Sequence, residues 1–175
     1  MIAHCPQVVV SSRDDAPAYA AGCSHAVSFE DSGAPETVLP DIDVAHHHHV
    51  TFDDIVVPRI LRVGNTILRP PTRTGVQRVI HIMRAMLDDR AERVLIHCSA
   101  GRRRSPAGAY VLFALALGAG DEQGAWAATI RACTCERPEP NPLMCAYADV
   151  LLGREGRLFS TVWPDLDRDA WLSSD

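Results

Sequence analysis

Val94-Leu95-Ile96-His97-Cys98-Ser99-Ala100-Gly101-Arg102-Arg103-Arg104-Ser105-Pro106 is the stretch whose reading decides the fold. Its first residues form a short apolar run of the kind that makes a fully buried strand. A loop with glycine at its centre follows. Pro106 then suits the first turn of a helix, where a missing N–H costs nothing. A strand, a tight loop and a helix N-terminus together present backbone N–H groups to an anion. Cys98 begins the loop and Arg104 lies six positions later, so a thiol, a cradle of amides and a guanidinium fork are brought into one place.

Working outward from the loop, Tyr110–Leu117 is apolar almost all round and reads as a central buried helix ended by Gly118 and Gly120. Asp121 caps a helix expected to turn Trp126, Ile130 and Cys133 inward. Asn141-Pro142 opens another with Leu143, Met144, Tyr147, Val150 and Leu151 inward, closed by Gly153. A short helix over Glu155–Val162 and a polar tail from about Pro164 complete the chain. Upstream, Val8–Ser11, Ala26–Phe29 and His46–Phe52 read as strands, and Arg13–Ala21 as a short helix closed by Gly22. Glu30–Asp43 is loop, and Pro58–Thr74 is the least regular part of the chain. Thr72 or Thr74 caps a helix with Val76, Val79, Ile80, Met83 and Leu87 at helical spacing. Strands early, helices late and a reactive loop at the carboxyl end of a strand make an α/β domain: a central, mostly parallel sheet of four or five strands flanked by helices, with a helix-rich C-terminal half.

The 175 residues are expected to form a single domain. A formal charge of −5 gives no general attraction to nucleic acid or to an anionic membrane. The longest apolar stretch, Ala107–Ala119, is too short to span a bilayer, and Met1–Val10 lacks the basic start and apolar core of a secretory leader. Six cysteines show no paired framework, so the expected setting is a reducing cytoplasm. All 17 basic residues are arginine, which reads as the codon bias of a GC-rich genome, bacterial by expectation.

The loop's chemistry follows from its residue types. Cys98 is the expected nucleophile, useful only as thiolate, and the amides, the helix N-terminus and Arg104 all favour that form. Arg104 can grip two phosphate oxygens in parallel. Gly101 lets the backbone turn and approach a phosphate closely. Ser105 is placed to hydrogen-bond the sulfur and help it leave a thiophosphate intermediate. Ser99, Ala100, Gly101, Arg102, Arg103 and Arg104 are thus the expected phosphate cradle. His97, on the buried strand, is expected to order the loop rather than carry protons.

His97-Cys98-x-x-Gly101-x-x-Arg104-Ser105 resembles the signature of the cysteine-dependent protein tyrosine and dual-specificity phosphatases. Ile130-Arg131-Ala132, Pro140-Asn141-Pro142, Ala148-Asp149 and Leu152-Gly153-Arg154-Glu155-Gly156-Arg157 are similar to small bacterial members. The likeness is closest over Val94–Val162 and weak over the first ninety residues. It implies a phosphomonoesterase working through a cysteinyl-phosphate, with no cofactor and no metal, on phosphotyrosine or a related phosphoprotein. It also implies a carboxylic acid upstream that protonates the leaving group. The usual window for that acid, about Ile60–Leu68, contains no carboxylate. Asp54 and Asp53 stand 44 and 45 residues before Cys98. Asp54-Ile55 matches the Asp-Ile pair of the bacterial members, so Asp54 is preferred and Asp53 held in reserve, with the extra length absorbed by Pro58–Pro71. Trp163-Pro164-Asp165 spells the tripeptide that carries the acid in many tyrosine phosphatases, but it follows the cysteine, and a surface turn is the better reading.

Arg102 and Arg103 exceed what one phosphate needs. They fit either a second phosphate, as in phosphatases acting on phosphoinositides or other multiply phosphorylated small molecules, or general steering by charge. A phosphate-binding protein without turnover, and sulfur or arsenate chemistry at the same thiolate, are the competing classes. His46–His49 lacks a spaced third ligand for a metal, and Cys133-x-Cys135 has neither redox nor zinc spacing. The oligomeric state is not written in the sequence.

Overall fold

The cysteine strand lies inside a four-stranded, wholly parallel sheet. The computed structural model describes residues 4–172; the start of the stretch read for a leader and the last three residues of the expected tail lie outside the described residues. The sheet contains β1 (Gln7–Ser12), β2 (His25–Glu30), β3 (His47–Thr51) and β6 (Arg93–Cys98), in the order β1-β6-β2-β3. In register, Cys98 lies level with Ser12 on one neighbour and Phe29 on the other. β6 is flanked on both sides, which explains why Val94, Leu95 and Ile96 read as a continuous apolar run rather than an alternating one.

Side chains alternate across the sheet. Val94, Ile96 and Cys98 join the main core with Val27, Phe29 and Val50. Against that face pack α2 (Arg73–Asp88) and α3 (Arg104–Leu117), with α4 (Glu122–Ala132), α5 (Pro142–Leu151) and α6 (Arg157–Val162) around them. Leu95 faces the other way, into a smaller cluster with Ala16 and Ala20 of α1 (Ala16–Ala20) and with Leu39 and Ile42 of the following loop. α3 is buried on nearly every side, as its uniform apolarity requires. The caps read from sequence are in place. Thr72 accepts from Gly75 N–H, Asp121 from Gly124 N–H, and Asn141 from both Leu143 and Met144 N–H.

Four expectations are corrected. The segment Pro58–Thr74 is not irregular throughout: β4 (Leu61–Val63) and β5 (Thr66–Leu68) form an antiparallel hairpin around Gly64-Asn65. Gly64 adopts φ +59°, which a glycine-led two-residue turn uses. Residues beyond 164 include α7 (Arg168–Leu172), and Trp171 and Leu172 pack against the main core. Ile130 and Val150 are exposed rather than inward; α4 turns Ala125 and Thr129 to the core in place of Ile130. The third strand starts one residue later than expected, after a 3₁₀ turn over Val44–His46. No described helix is long and apolar enough to cross a membrane.

Candidate active site

The loop between β6 and α3 is shaped by a contact that only glycine permits. Gly101 has φ +67°, and a Cβ there would lie 2.6 Å from the backbone of Ser11 and Ser12 at the end of β1. The loop is thus seated directly on the neighbouring strand, where Arg13 N–H also donates to Ser99 O at 3.3 Å. Cys98 is buried, and its Sγ lies 3.2 Å from Ser105 Oγ in the first turn of α3. Cys98 and Ser105 are therefore brought together as the sequence reading expects, and Arg104 is buried beside them.

Beneath the loop lies a polar layer. His97 is fully buried on the α1 side of the sheet, and its Nε2 lies 2.6 Å from Ser28 Oγ, which in turn lies 2.7 Å from His47 Nε2. The His49 ring lies against His47 on the same face of the edge strand, tilted by 40° with 4.1 Å between ring centres. Buried Glu30 completes the layer, accepting from Thr37 N–H at 2.8 Å and pairing with Arg13 and with His49. Burial, and then the neighbouring His47, Arg13 and His49, hold His97 down to about 4. A neutral ring bonded to a hydroxyl orders a strand end; it is not a proton carrier near neutral pH.

The arginines have acidic partners that the sequence reading missed. Arg104 Nη1 donates to Phe52 O at 2.8 Å, and Nη2 reaches Asp31 Oδ1 at 2.7 Å and Ser99 Oγ at 3.1 Å. Ser99 Oγ donates to the other Asp31 oxygen at 2.5 Å. Asp31 follows β2, and β2 adjoins β6, so a carboxylate 67 residues away in sequence sits at the same end of the sheet as Cys98. Arg102 Nη2 pairs with Glu139 Oε1 at 2.7 Å, and Arg103 Nη2 lies 3.7 Å from Glu139 Oε2. The only hint was a carboxylate at a strand end (Asp31) and one in the Pro-rich turn before α5 (Glu139).

Asp53 and Asp54 part company. Asp53 is buried, and its two oxygens accept from Ser32 N–H at 2.9 Å and Arg69 N–H at 2.5 Å. Despite desolvation, which acts upward and is the largest single influence, the amides of Arg69 and Ser32 and the charge of Arg104 together hold its carboxyl below the usual carboxylate range. It is an anchor for two chain segments. Asp54 is exposed, and Asn141 ties it to the loop. Asn141 N–H donates to Arg103 O at 3.1 Å, and its side-chain amide donates to Asp54 Oδ1 and to Ile55 O, both at 3.0 Å. With Phe52 O held by Arg104, the Asp54 segment is fastened to the cysteine loop at two points.

The remaining candidates fall elsewhere. Asp165 is exposed in the turn after α6. Among the described residues, no three His, Cys, Asp or Glu side chains are grouped to hold a metal ion. Cys133 pairs by a backbone bridge with Val10 of β1, and burial, then Cys135, push its thiol up to about 12. An apolar cleft opens beside the loop, lined by Val56, Arg103, Glu139, Pro142, Trp163 and Trp171 among others, with a volume of about 200 Å³.

No known family profile matches the sequence, and no curated protein matches it. Solved structures do match. Human dual-specificity phosphatase DUSP28 superposes with a TM-score of 0.60 at 16% identity, covering 89% of this chain and 96% of its own. The active form of Tk-PTP aligns at 15% identity and a TM-score of 0.46, over 85% of this chain and 89% of its own. The chain thus shares the fold of human dual-specificity phosphatase DUSP28.

Proposed function

We propose that this chain is a phosphatase that hydrolyses phosphomonoesters through a cysteinyl-phosphate intermediate. The observation that carries the reading is the loop itself: Cys98 Sγ 3.2 Å from Ser105 Oγ, with Arg104 buried alongside and Gly101 pressed onto β1. In the proposed reaction the Cys98 thiolate attacks phosphorus as the ester P–O bond breaks. Arg104 and the amides of Ser99 to Arg103 hold the phosphoryl oxygens. Asp54 gives a proton to the departing oxygen and later takes one from the water that attacks the thiophosphate. Ser105 donates to the sulfur as the S–P bond breaks, regenerating the thiolate. The thiolate is the nucleophile, so this chemistry calls on no metal or cofactor. The proposed unit is one domain over residues 1–175, working in a reducing cytoplasm.

Substrate class follows from two features. Arg102 and Arg103 are already matched to Glu139, which counts against a second phosphate and so against a phosphoinositide. The apolar cleft with two tryptophans beside Arg103 favours a phosphoprotein segment, phosphotyrosine first, over a small polyphosphate. A phosphate-binding protein without turnover is the second reading, favoured by the hold of Asn141 on Asp54.

The test is turnover of an aryl phosphate by the wild type, Cys98→Ser and Asp54→Asn. The serine variant is expected to lose all measurable turnover while still binding phosphate. Asp54→Asn should lose about 10²-fold or more in kcat, the low end of a general acid's contribution. A wild type no faster than Cys98→Ser refutes the enzyme reading. An Asp54→Asn protein with unchanged rate and pH profile removes only the acid assignment.

A further inference from the structure

We propose that Asp31 is an internal anion that competes with phosphate for Arg104 and Ser99, and so sets the affinity of the loop for its ligand. The inference rests on the reading of the loop as a phosphate site. Of the five N–H donors of Arg104, the buried Nε–H has no partner among the described residues, while both Nη groups are already engaged. Nη1 is committed to Phe52 O, and Nη2 is held by Asp31 Oδ1 and by Ser99 Oγ. Asp31 Oδ2 accepts from Ser99 Oγ as well. Both oxygens of Asp31 therefore act as acceptors on the guanidinium and the loop hydroxyl, groups from which a phosphoryl oxygen would accept.

The carboxylate is held there by more than its own ion pair. Glu30, one residue earlier, is anchored on the opposite side by Thr37 N–H and Arg13. Ser32, one residue later, is anchored by Asp53 Oδ1. Ala34 N–H closes a turn onto Asp31 O at 3.0 Å. Asp31 is thus delivered to Arg104 by a fixed backbone, while its side chain remains 41% exposed and able to swing into water. A phosphate arriving at Nη2 either displaces that carboxylate or sits beside it, and two like charges about one guanidinium repel. Either way, Asp31 weakens phosphate binding. It also keeps a buried guanidinium from standing unpaired in a low-dielectric setting, which explains why such a competitor is tolerated.

The experiment is calorimetric titration of inorganic phosphate into the full chain, for the wild type, Asp31→Asn, Asp31→Ser and Asp31→Glu, with thermal unfolding as the check of folding. The two neutral variants are expected to bind phosphate at least about fivefold more tightly, the change that repulsion between two unit charges about 4 Å apart implies even when fully screened by water. Asp31→Glu, which restores the carboxylate, should return toward the wild-type affinity. A folded neutral variant that binds phosphate equally or more weakly overturns the proposal. On the unmodified protein, saturating phosphate should move the NMR signal of the Asp31 carboxyl carbon, and a signal that stays in place overturns it without any variant. Phosphate binding without aryl phosphate turnover leaves this inference standing and removes only the catalytic reading; no binding by any of the proteins removes both.

Discussion

Acid should loosen this fold through His97. The ring is fully buried, bonded through Nε2 to Ser28, and faced by His47, His49, Arg13 and, behind them, Glu30. Its pKa is lowered from 6.5 to about 4, first by burial and then by the neighbouring His47, Arg13 and His49. A folded value below the unfolded one means that the unfolded chain takes up the proton first as pH falls. The stability is therefore present above about pH 6.5 and lost between there and pH 4. Integrating the difference in proton uptake gives a loss of about 2 kcal/mol at pH 5 and about 3 kcal/mol by pH 4. His47 is lowered in the same direction, but it is half-buried at the sheet edge and adds a smaller, solvent-screened share. Urea unfolding followed by tryptophan fluorescence, at pH 7.5 and 5.0, measures the effect. Carboxylates titrate in any comparison over this range, so the informative quantity is the gap between wild type and His97→Gln, which keeps a hydrogen-bonding group near the Nε2 position but does not titrate. The variant should be the less stable protein at pH 7.5, and the gap should shrink by about 2 kcal/mol at pH 5. A gap that stays constant with pH would refute the assignment of a neutral buried ring.

Two further outcomes follow from the loop and its tether. Gly101→Ala places a Cβ 2.6 Å from the Ser11–Ser12 backbone at a left-handed φ, so thermal unfolding should fall by about 4 °C or more and aryl phosphate turnover by at least about tenfold; an unchanged melting temperature would show that the loop is not seated on β1. Asn141→Asp keeps the acceptor that caps α5 but loses the donor to Asp54 and Ile55 and sets a carboxylate against Asp54, so kcat should fall with phosphate affinity retained; an unaltered kcat in kinetic assays would disconnect the tether from the reaction.

The parts legible in the sequence are those written within a few residues of each other. The strand, loop and helix from Val94 to Leu117 follow from apolar runs, Gly101 and Pro106, and the caps at Thr72, Asp121 and Asn141 each bond two or three residues onward. Partnerships across the sheet left no such mark. Asp31 meets Arg104 because β2 and β6 are neighbours, and Asn141 meets Asp54 because the turn before α5 lies against the loop. Elsewhere a local signal existed and was outweighed. Gly64-Asn65 between β-branched residues is a hairpin signal, overshadowed by the prolines around it. Trp171-Leu172 is an apolar pair at the end of an acidic stretch, which made the segment read as tail. Along α4, Trp126 and Cys133 pack against the core as their spacing predicts, but Ile130 is exposed, and Ala125 and Thr129 are the residues buried against the rest of the fold.

The charge of the loop then acquires a different meaning. Three consecutive arginines suggested a surplus of positive charge awaiting a highly anionic substrate. In the folded protein, Glu139 stands against Arg102 and Arg103, and Asp31 against Arg104. Two carboxylates against three guanidiniums leave roughly one unit of positive charge, joined by the backbone amides at the start of α3. A single phosphomonoester is matched by one guanidinium and an amide cradle. A ligand with several phosphates would have to displace Glu139 from two arginines as well as Asp31 from the third. On the proposed reading of the loop as a phosphate site, the arrangement favours one phosphate at a time, and the acidic partners, found only once the chain is folded, say more about the proposed substrate than the arginines do.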